Sequence, residues 1–498
     1  MAYRTPADVS CSRSFNLSAR TARLAQNPRT CRLLAGAGSN HGASAAVADK
    51  VDEERRSSHS TAESSHTATR PRFHDHETDT DPSKEGGDFC WTKHWYPLVP
   101  EDYLSTTKPN PLTLLGREFV VWKDSHGEWG ALADQCPHRL APLSDGKIVD
   151  GNLACGYHGW EFQADGKCIN IPSASPGGGA KSPSQSSRAC ASAFPVQVKQ
   201  GLLWIWPESG ADAWLEASAE PPVTFPEMED PSWAGSAGDY GFQENPAGWA
   251  VMTENAMDPF HALFVHDGTI SKADDAVSMP MSITGDVDAQ QGFRVAHDGY
   301  TTKQKKDGLK ALREFHPPCT IRTEYTYASG MKVVTCLYLV PIKPGTTRTM
   351  IKFATSGLPG AANKLFKLAG VLPKGLTHAF GHGLVDQDMR VLHKQERRLA
   401  AAPRGFRDYY LPTQADSGVT AFWRWLQKAG GDVGWANQAS SFDLAPQATH
   451  AQLLDHYARH TQYCSHCQKT IKGIDQARSA LLAGSLLLAA WVSLIKGV

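Results

Sequence analysis

Two short stretches decide the fold: CPHRLAPLSDG from Cys136 to Gly146 and CGYHGWEF from Cys155 to Phe162. Each begins with a cysteine followed closely by a histidine, so together they supply two thiolates and two imidazoles, on Cys136, His138, Cys155 and His158. That set suits either tetrahedral zinc or a [2Fe–2S] cluster in which two histidines replace two cysteines on one iron. Zinc fingers more often pair Cys with Cys and His with His. The mixed pattern therefore favours a cluster held between two loops, with both cysteines on one iron and both histidines on the other.

The sequence around these loops predicts mostly short strands. From Trp91 to Pro207, strands are expected at Glu118–Asp124, Glu128–Asp134 and Leu202–Trp206, the first two joined by a Ser-His-Gly turn. Strand patterns continue after Ala211 and helical patterns dominate after Ala361, in these ranges: strands Arg322–Ala328, Lys332–Ile342 and Thr349–Thr355, and helices Leu376–Arg397 and Ser417–Ala429. We therefore predict an α+β protein, with a small all-β domain followed by a larger α+β domain.

A second group of metal-binding side chains lies in the segment ENAMDPFHALFVH, from Glu254 to His266. On a regular helix Asp258 and His261 share a face, whereas His261 and His266 are about 140° apart. The helix must therefore distort or end if both histidines are to reach one metal ion. Two histidines and a carboxylate are typical of a mononuclear iron that keeps open positions for dioxygen.

For this segment alone, a helix with two hydrogen-bonded histidines is an equal alternative. The upstream cluster motif disfavours it, because such a cluster needs an electron acceptor. Spacing does not choose the remaining carboxylate among three on the late helix: Asp386, Asp388 and Glu396.

Both ends of the chain differ in composition from the middle. Residues 1–48 contain six arginines and one acid, and they are rich in Ser, Ala and Thr, which is typical of an organelle transit peptide; a disordered tail is the alternative. Residues 49–88 have too few large apolar side chains to form a core, which predicts a disordered linker. The uncharged run Ala480–Ile495 predicts a membrane anchor over residues 479–498, near the lower limit of about 17–25 residues for a span; a buried helix is the alternative.

Overall composition excludes several classes of protein. A net charge of −1 argues against a nucleic-acid binder that relies on a basic surface. Eleven cysteines in 498 residues are too few for a disulfide-stapled secreted scaffold. The remaining class is a globular protein that uses metals or redox chemistry.

The two cluster loops resemble those of Rieske-type oxygenases. Electron-carrier Rieske proteins have an additional cysteine in each loop, and Ala141 and Tyr157 occupy those places here. The resemblance extends from about Trp91 to Cys467 and is closest to the chloroplast branch that contains pheophorbide a oxygenase, the Rieske protein of the inner-envelope translocon and chlorophyllide a oxygenase. The supporting strings are WYPLVP (Trp95–Pro100), LLGREFVVW (Leu114–Trp122), QGLLWIWP (Gln200–Pro207), LPTQADSGVTAFWRWL (Leu411–Leu426) and HTQYCSHC (His460–Cys467).

The resemblance implies a domain order and roles for individual residues. It implies a Rieske [2Fe–2S] domain over residues 89–210, a helix-grip catalytic domain with mononuclear Fe(II) over 211–450, and a Cys-x-x-Cys segment over 451–478. The string QDM followed by LHKQE matches the family's late ligand helix, which places the iron carboxylate at Asp388, with Asp386 as second choice. In this family, the acid at Asp258 connects across a subunit interface to a cluster histidine, which implies a homotrimer.

The implied activity is oxygen insertion into a chlorophyll-derived tetrapyrrole, with pheophorbide a as the first choice of substrate. Ferredoxin would supply the electrons, dioxygen would be the co-substrate, and the site would be the chloroplast inner envelope or thylakoid membrane. The alternatives are a hydroxylase of a chlorophyll catabolite or chlorophyllide, and a redox-sensing component of the inner-envelope translocon.

Cys464 and Cys467 have the spacing of a dithiol that can form a disulfide. They are candidates for a redox switch accessible to thioredoxin. They could instead form half of a zinc site with His460 and His466, or be two idle thiols.

Overall fold

The computed structural model describes residues 89–174, 184, 186–236, 238–361, 374–436, 440 and 442–497. The predicted transit peptide (1–48) and linker (49–88) lie outside these residues.

The first part of the described chain contains ten short strands in three antiparallel sheets. Their order is β1-β10-β9 in one sheet, β2-β3-β4 in the second and β5-β6-β7-β8 in the third. The strands are β1 (Tyr96–Pro100), β2 (Asn110–Leu114), β3 (Arg117–Lys123), β4 (Trp129–Ala133), β5 (Lys147–Val149), β6 (Asn152–Ala154), β7 (Glu161–Phe162), β8 (Cys168–Asn170), β9 (Val196–Lys199) and β10 (Leu202–Ile205).

The second part contains a seven-stranded antiparallel sheet. Its order is β11-β17-β16-β15-β14-β13-β12, so six consecutive strands form a meander and β11 pairs with the last of them. The strands are β11 (Gly241–Asn245), β12 (Met281–Asp288), β13 (Gly292–Asp298), β14 (Lys310–His316), β15 (Thr320–Thr326), β16 (Lys332–Lys343) and β17 (Thr346–Ser356).

Helices accompany this larger sheet. Helix α6 (Ser417–Lys428) packs on β12 and β13, while the long helix α5 (Lys374–Ala401) contacts β11 and helix α2 (Trp249–Met257). The α-helices are α1 (Ala211–Ala219), α2 (Trp249–Met257), α3 (His261–Val265), α4 (Thr302–Lys306), α5 (Lys374–Ala401), α6 (Ser417–Lys428), α7 (His450–Leu453) and α8 (Ser465–Lys496). Single turns of 3-10 helix occur at Glu101–Tyr103, Ser187–Ala189, Pro226–Met228, Ala273–Asp275, Gly405–Asp408 and Gln414–Asp416, and a π-helical turn at Tyr457–Thr461.

The buried side chains form two separate hydrophobic cores. The smaller one lies under the cluster loops and includes Trp122, Leu143 and Phe162. The larger one joins β1 and β10 to the seven-stranded sheet, where Trp91 meets Trp249 edge to face at 5.2 Å between ring centroids. Most of the first part therefore shares a core with the second part, and only the lobe around the cluster loops has a core of its own.

The expected fold class is confirmed: small β-sheets come first, and a large sheet with helices follows. The observed strands match the predicted ranges to within a few residues. The segment from Glu254 to His266, considered above as one helix, is split at Asp258, because Pro259 has no N–H and disfavours helical backbone before it. The boundaries proposed between the domains stay predictions.

Candidate active site

The two cluster loops close with the same backbone pattern. In the first, Cys136 N–H donates to the carbonyl of Ala141 at 2.8 Å, and Leu140 N–H donates back to Cys136 at 2.8 Å. The second repeats this pattern from Cys155 to Trp160 (2.8 Å) and from Gly159 back to Cys155 (3.0 Å). Leu140 (φ 61°) and Gly159 (φ 72°) occupy the left-handed conformation that such a tight turn requires. The chain thus presents two nearly identical loops to one object between them.

Burial separates the four predicted ligands into two kinds. Cys136 and Cys155 are only 1% and 4% exposed, whereas His138 is exposed and His158 is half-buried. The two imidazole rings lie 4.6 Å apart, and Trp160 stacks on His138 at 4.7 Å. Burial raises the pKa of the Cys136 thiol to about 11, and the neighbouring Cys155 thiol adds to that rise. This arrangement fits a [2Fe–2S] cluster with inner cysteines and outer histidines.

The short helix α3 positions the two histidines of the second candidate metal site. His261 begins α3, and His266 follows its last residue with non-helical backbone angles (φ −105°, ψ 23°), so the end of α3 removes the angular mismatch expected for a regular helix. His261 Nδ1 donates to the backbone carbonyl of Asp258, and His266 Nδ1 donates to the amide oxygen of Gln387 at 2.8 Å. Each ring therefore presents an unprotonated Nε2 to the site.

Asp388 on α5 completes this group. Its Oδ1 lies 3.5 Å from His261 Nε2 and 3.6 Å from His266 Nε2, and the three donor atoms lie within 4.8 Å of one another. The same Oδ1 is buried and has no hydrogen-bond partner among the described residues. Burial raises the pKa of Asp388 and lowers that of His261. A buried carboxylate oxygen with no partner, facing two imidazole nitrogens, fits a facial His-His-carboxylate iron site.

The other two carboxylates of α5 lie outside this group. Asp386 pairs with Arg459 at 2.5 Å and with His456 at 2.5 Å, because two residues of helix rotate it about 200° away from Asp388. Glu396 is 3% exposed, and burial raises its pKa to about 7. Neither acid belongs to the group formed by the two histidines and Asp388.

Asp258 lies at the break between α2 and α3. Its carbonyl accepts from His261, and its carboxylate Oδ1 accepts from the backbone N–H of Phe260 at 2.9 Å. Burial raises the pKa of this carboxyl group. Asp258 is therefore joined to an iron-site histidine through its backbone, not through its carboxylate.

Cys464 and Cys467 are buried, at 0% and 7% exposure. Their neighbours are His460 in the π-helical turn and His378 on α5. The expectation that His466 would lie beside this pair is wrong: His466 points to Asp102 instead, at 3.7 Å. Two residues were missed, Gln387 and His378, because their partners lie 121 and 86 residues away in the chain and no local spacing reveals them.

Comparison with known proteins agrees with this geometry. Residues 94–194 match the family model for the Rieske [2Fe-2S] domain, and residues 315–405 match the model for pheophorbide a oxygenase. Pheophorbide a oxygenase of Arabidopsis thaliana is 31% identical over 82% of this chain and 78% of its own length. Flavonoid 8-hydroxylase 2 of Ocimum basilicum is 31% identical over 83% of this chain and 80% of its own. Both relatives are named chloroplastic.

Among solved structures, dicamba monooxygenase bound to dicamba has the same fold, with a TM-score of 0.53 and 22% identity, covering 69% of this chain and 98% of its own. The chain is an oxygenase with a [2Fe–2S] cluster and a mononuclear iron, so it acts on an organic substrate with dioxygen. Together, the matched domains and the relatives show that it belongs to the pheophorbide a oxygenase family of Rieske-type oxygenases.

Proposed function

We propose that this chain inserts oxygen into a chlorophyll-derived tetrapyrrole of the pheophorbide a class, with electrons supplied by ferredoxin. The observation that carries the proposal is the buried Asp388 Oδ1, which lies between His261 and His266 and has no hydrogen-bond partner in the described part of the chain. Asp388 lies on α5, inside residues 315–405, which match the pheophorbide a oxygenase family model. The proposed iron carboxylate therefore lies within the region that matches this oxygenase family.

The proposed ligands follow from the two donor groups. Cys136, Cys155, His138 and His158 would hold the [2Fe–2S] cluster, and His261, His266 and Asp388 would hold the iron. When bound, the cluster supplies single electrons and the iron supplies the site for dioxygen. The donor chemistry fits both the cluster and the mononuclear iron. The two buried thiolates suit the cluster iron that lies deeper in the protein. One carboxylate and two imidazoles leave open coordination positions on the mononuclear iron.

The chain prepares the iron site through hydrogen bonds to the far side of each imidazole ring. The backbone carbonyl of Asp258 and the amide oxygen of Gln387 each accept a hydrogen bond from an Nδ1–H, which fixes the tautomer that directs Nε2 inward. Gln387 is itself held, because its amide nitrogen donates to Thr269 at 3.0 Å. The two histidines therefore keep their orientation without rearrangement.

Asp258 is proposed to connect this iron site to the cluster of a neighbouring subunit in a homotrimer. Its carboxylate lies beside His261 and has one oxygen not used by Phe260. On the cluster side, His138 is exposed and is flanked by Leu140 and Tyr157, which are 65% and 59% exposed. Exposed apolar side chains around the cluster histidines are what a covering subunit or an electron donor would bury.

The location is proposed to be the chloroplast inner envelope or thylakoid membrane. The arginine-rich start of the chain supports import. Helix α8 is long and apolar enough to cross a membrane and exposes large side chains along its second half, including Leu481, Leu487 and Leu494. This surface favours an anchor over a buried core helix.

The test is incubation of the purified full-length protein with ferredoxin, its reductase, NADPH and dioxygen. The substrates offered are pheophorbide a, chlorophyllide a and a flavone, and His261→Ala serves as the inactive control. We expect oxygenated product, detected by mass spectrometry, from pheophorbide a. Product from the flavone alone would replace the proposal with the hydroxylase activity that a relative's name suggests. A loaded enzyme with no product from any compound would favour the redox-sensing role.

A further inference from the structure

A third group of potential metal-binding side chains lies outside the proposed iron and cluster sites. It consists of one residue of α5, one of the π-helical turn, the residue before α8 and one in the first turn of α8: His378, His460, Cys464 and Cys467. All four are buried, none more than 8% exposed. Each offers one donor atom, and the four atoms lie within 4.8 Å of one another.

The distances between these atoms match a tetrahedral metal centre. Bonds of about 2.0–2.1 Å to nitrogen and ~2.3 Å to sulfur place donor atoms about 3.3–3.8 Å apart around zinc. His378 Nδ1 lies 3.2 Å from His460 Nε2 and 3.4 Å from Cys467 Sγ. Cys467 Sγ lies 3.2 Å from His460 Nε2, and Cys464 Sγ lies 3.7 Å from His378 Nδ1.

The surrounding structure orients His460 as a ligand. Its Nδ1 faces the carbonyl of Phe242 at 2.7 Å and must donate to it, which leaves a lone pair on the Nε2 that points into the group. The neighbouring Arg459 is held by Asp386 at 2.5 Å and by Asn245 at 2.6 Å, so the π-helical turn is attached to both α5 and β11. The imidazole is thus positioned by its surroundings and not only by the cysteines.

We propose that His378, His460, Cys464 and Cys467 bind one Zn²⁺ ion as a closed structural site. Two thiolates and two imidazoles are a donor set typical of structural zinc. A switch that operates through thioredoxin needs exposed sulfurs, and these are enclosed.

The zinc site joins parts of the chain that serve different purposes. His378 and Asp388 are ten residues apart on α5, about 15 Å along the helix axis, so this site is separate from the iron. Cys464 immediately precedes α8, the candidate membrane span. The ion therefore fixes the base of the proposed anchor to the helix that carries the iron carboxylate. The inference does not depend on which substrate the enzyme oxidises.

The experiment measures zinc, iron and acid-labile sulfide per chain in the full-length protein produced with both metals supplied. The test variant is the double substitution Cys464→Ser/Cys467→Ser. Two matched controls are His466→Ala, next to Cys467 but outside the group, and Cys190→Ser, an exposed thiol. We expect one zinc in the wild type and both controls, and loss of zinc alone in the double variant.

Three results would overturn the proposal: no zinc in the wild type, zinc retained by the double variant, or iron in place of zinc. The first would leave four hydrogen-bonded side chains or a disulfide. If the double variant does not accumulate, cobalt-supplemented wild type gives the same answer without substitution. Tetrahedral cobalt with two thiolates shows intense charge-transfer and visible bands, and their absence would refute the site. None of these readouts requires substrate turnover, so they are independent of the proposed oxygenation.

Discussion

The cluster loops and the proposed iron site would hold metals in two different ways. All four cluster residues lie within residues 136–158, on two loops with the same hydrogen-bond pattern. The proposed iron site joins the histidines at the two ends of the short helix α3 to an acid on α5, and its hydrogen bond from His266 to Gln387 spans 121 residues. A site made of local loops can be identified from spacing, whereas a site assembled from distant helices depends on their rotation and packing. The two sites should therefore fail separately and for different reasons.

The largest expected effect tests this independence. Cys136→Ser should remove the Rieske electron paramagnetic resonance signal while iron stays at the second site, and His261→Ala should do the reverse. Both variants should lose turnover completely, because each site supplies something that the other cannot. Metal analysis and the resonance spectrum of the reduced protein measure both. Loss of both metals in either variant would mean that the two sites fold as one unit.

The next comparison separates two acids of α5. Asp388→Ala should lose iron, whereas Asp386→Ala should keep it and lower the free energy of unfolding by about 3–5 kcal/mol, because Arg459 is left buried without its partner. Iron content and urea unfolding distinguish the two outcomes. Iron loss only in the Asp386 variant would move the ligand to the other face of the helix.

Asp258→Asn tests the proposed connection between the sites. The substitution keeps the backbone carbonyl that accepts from His261 and a side-chain oxygen for Phe260. Iron and a reducible cluster should therefore remain, while turnover falls by a factor of about 10²–10⁴ if the carboxylate relays charge or protons. Equal iron loss in Asp258→Asn and His261→Ala would instead place this acid among the ligands.

Glu396 is a buried acid of α5 that is not a proposed metal ligand, unlike Asp388 on the same helix. Its pKa of about 7 is above its ordinary value of 4.5, so its contribution to stability is present at low pH and is lost as the pH rises through about 7. The loss amounts to about 3 kcal/mol. Glu396→Gln should therefore show a smaller fall in unfolding free energy than the wild type between about pH 5 and pH 8. An unchanged slope would mean that Glu396 is already ionised in the folded protein.

The smallest effect is expected at Gln387. Gln387→Ala removes the acceptor of His266 Nδ1–H and should weaken iron binding about 10–100-fold without changing the cluster. Competition with increasing concentrations of an iron chelator measures this affinity. Gln395→Ala is the matched control, because that amide lies on the same helix and bonds to Glu254 instead. Equal weakening in both variants would indicate a general loosening of α5.

Much of the cluster site follows from local sequence alone. The spacing of Cys136, His138, Cys155 and His158 within β-rich sequence already indicates a [2Fe–2S] loop pair, because each loop needs only a tight turn to place its ligands. The order of strands and helices also follows, and so does the need for the helix to distort or end if His261 and His266 share a metal, because helical geometry and side-chain periodicity act over a few residues.

Which distant side chains come together, and where each core ends, depends on tertiary structure. Residue type and spacing do not show which of Asp386, Asp388 and Glu396 faces the histidines. Only the rotation of α5 against α3 turns Asp388 toward them. Likewise, His378 and not His466 joins Cys464 and Cys467, since residues adjacent in sequence point to different sides of a helix. The reason is physical: local spacing sets which side chains share a turn, but the pairing of distant elements depends on how their buried faces pack.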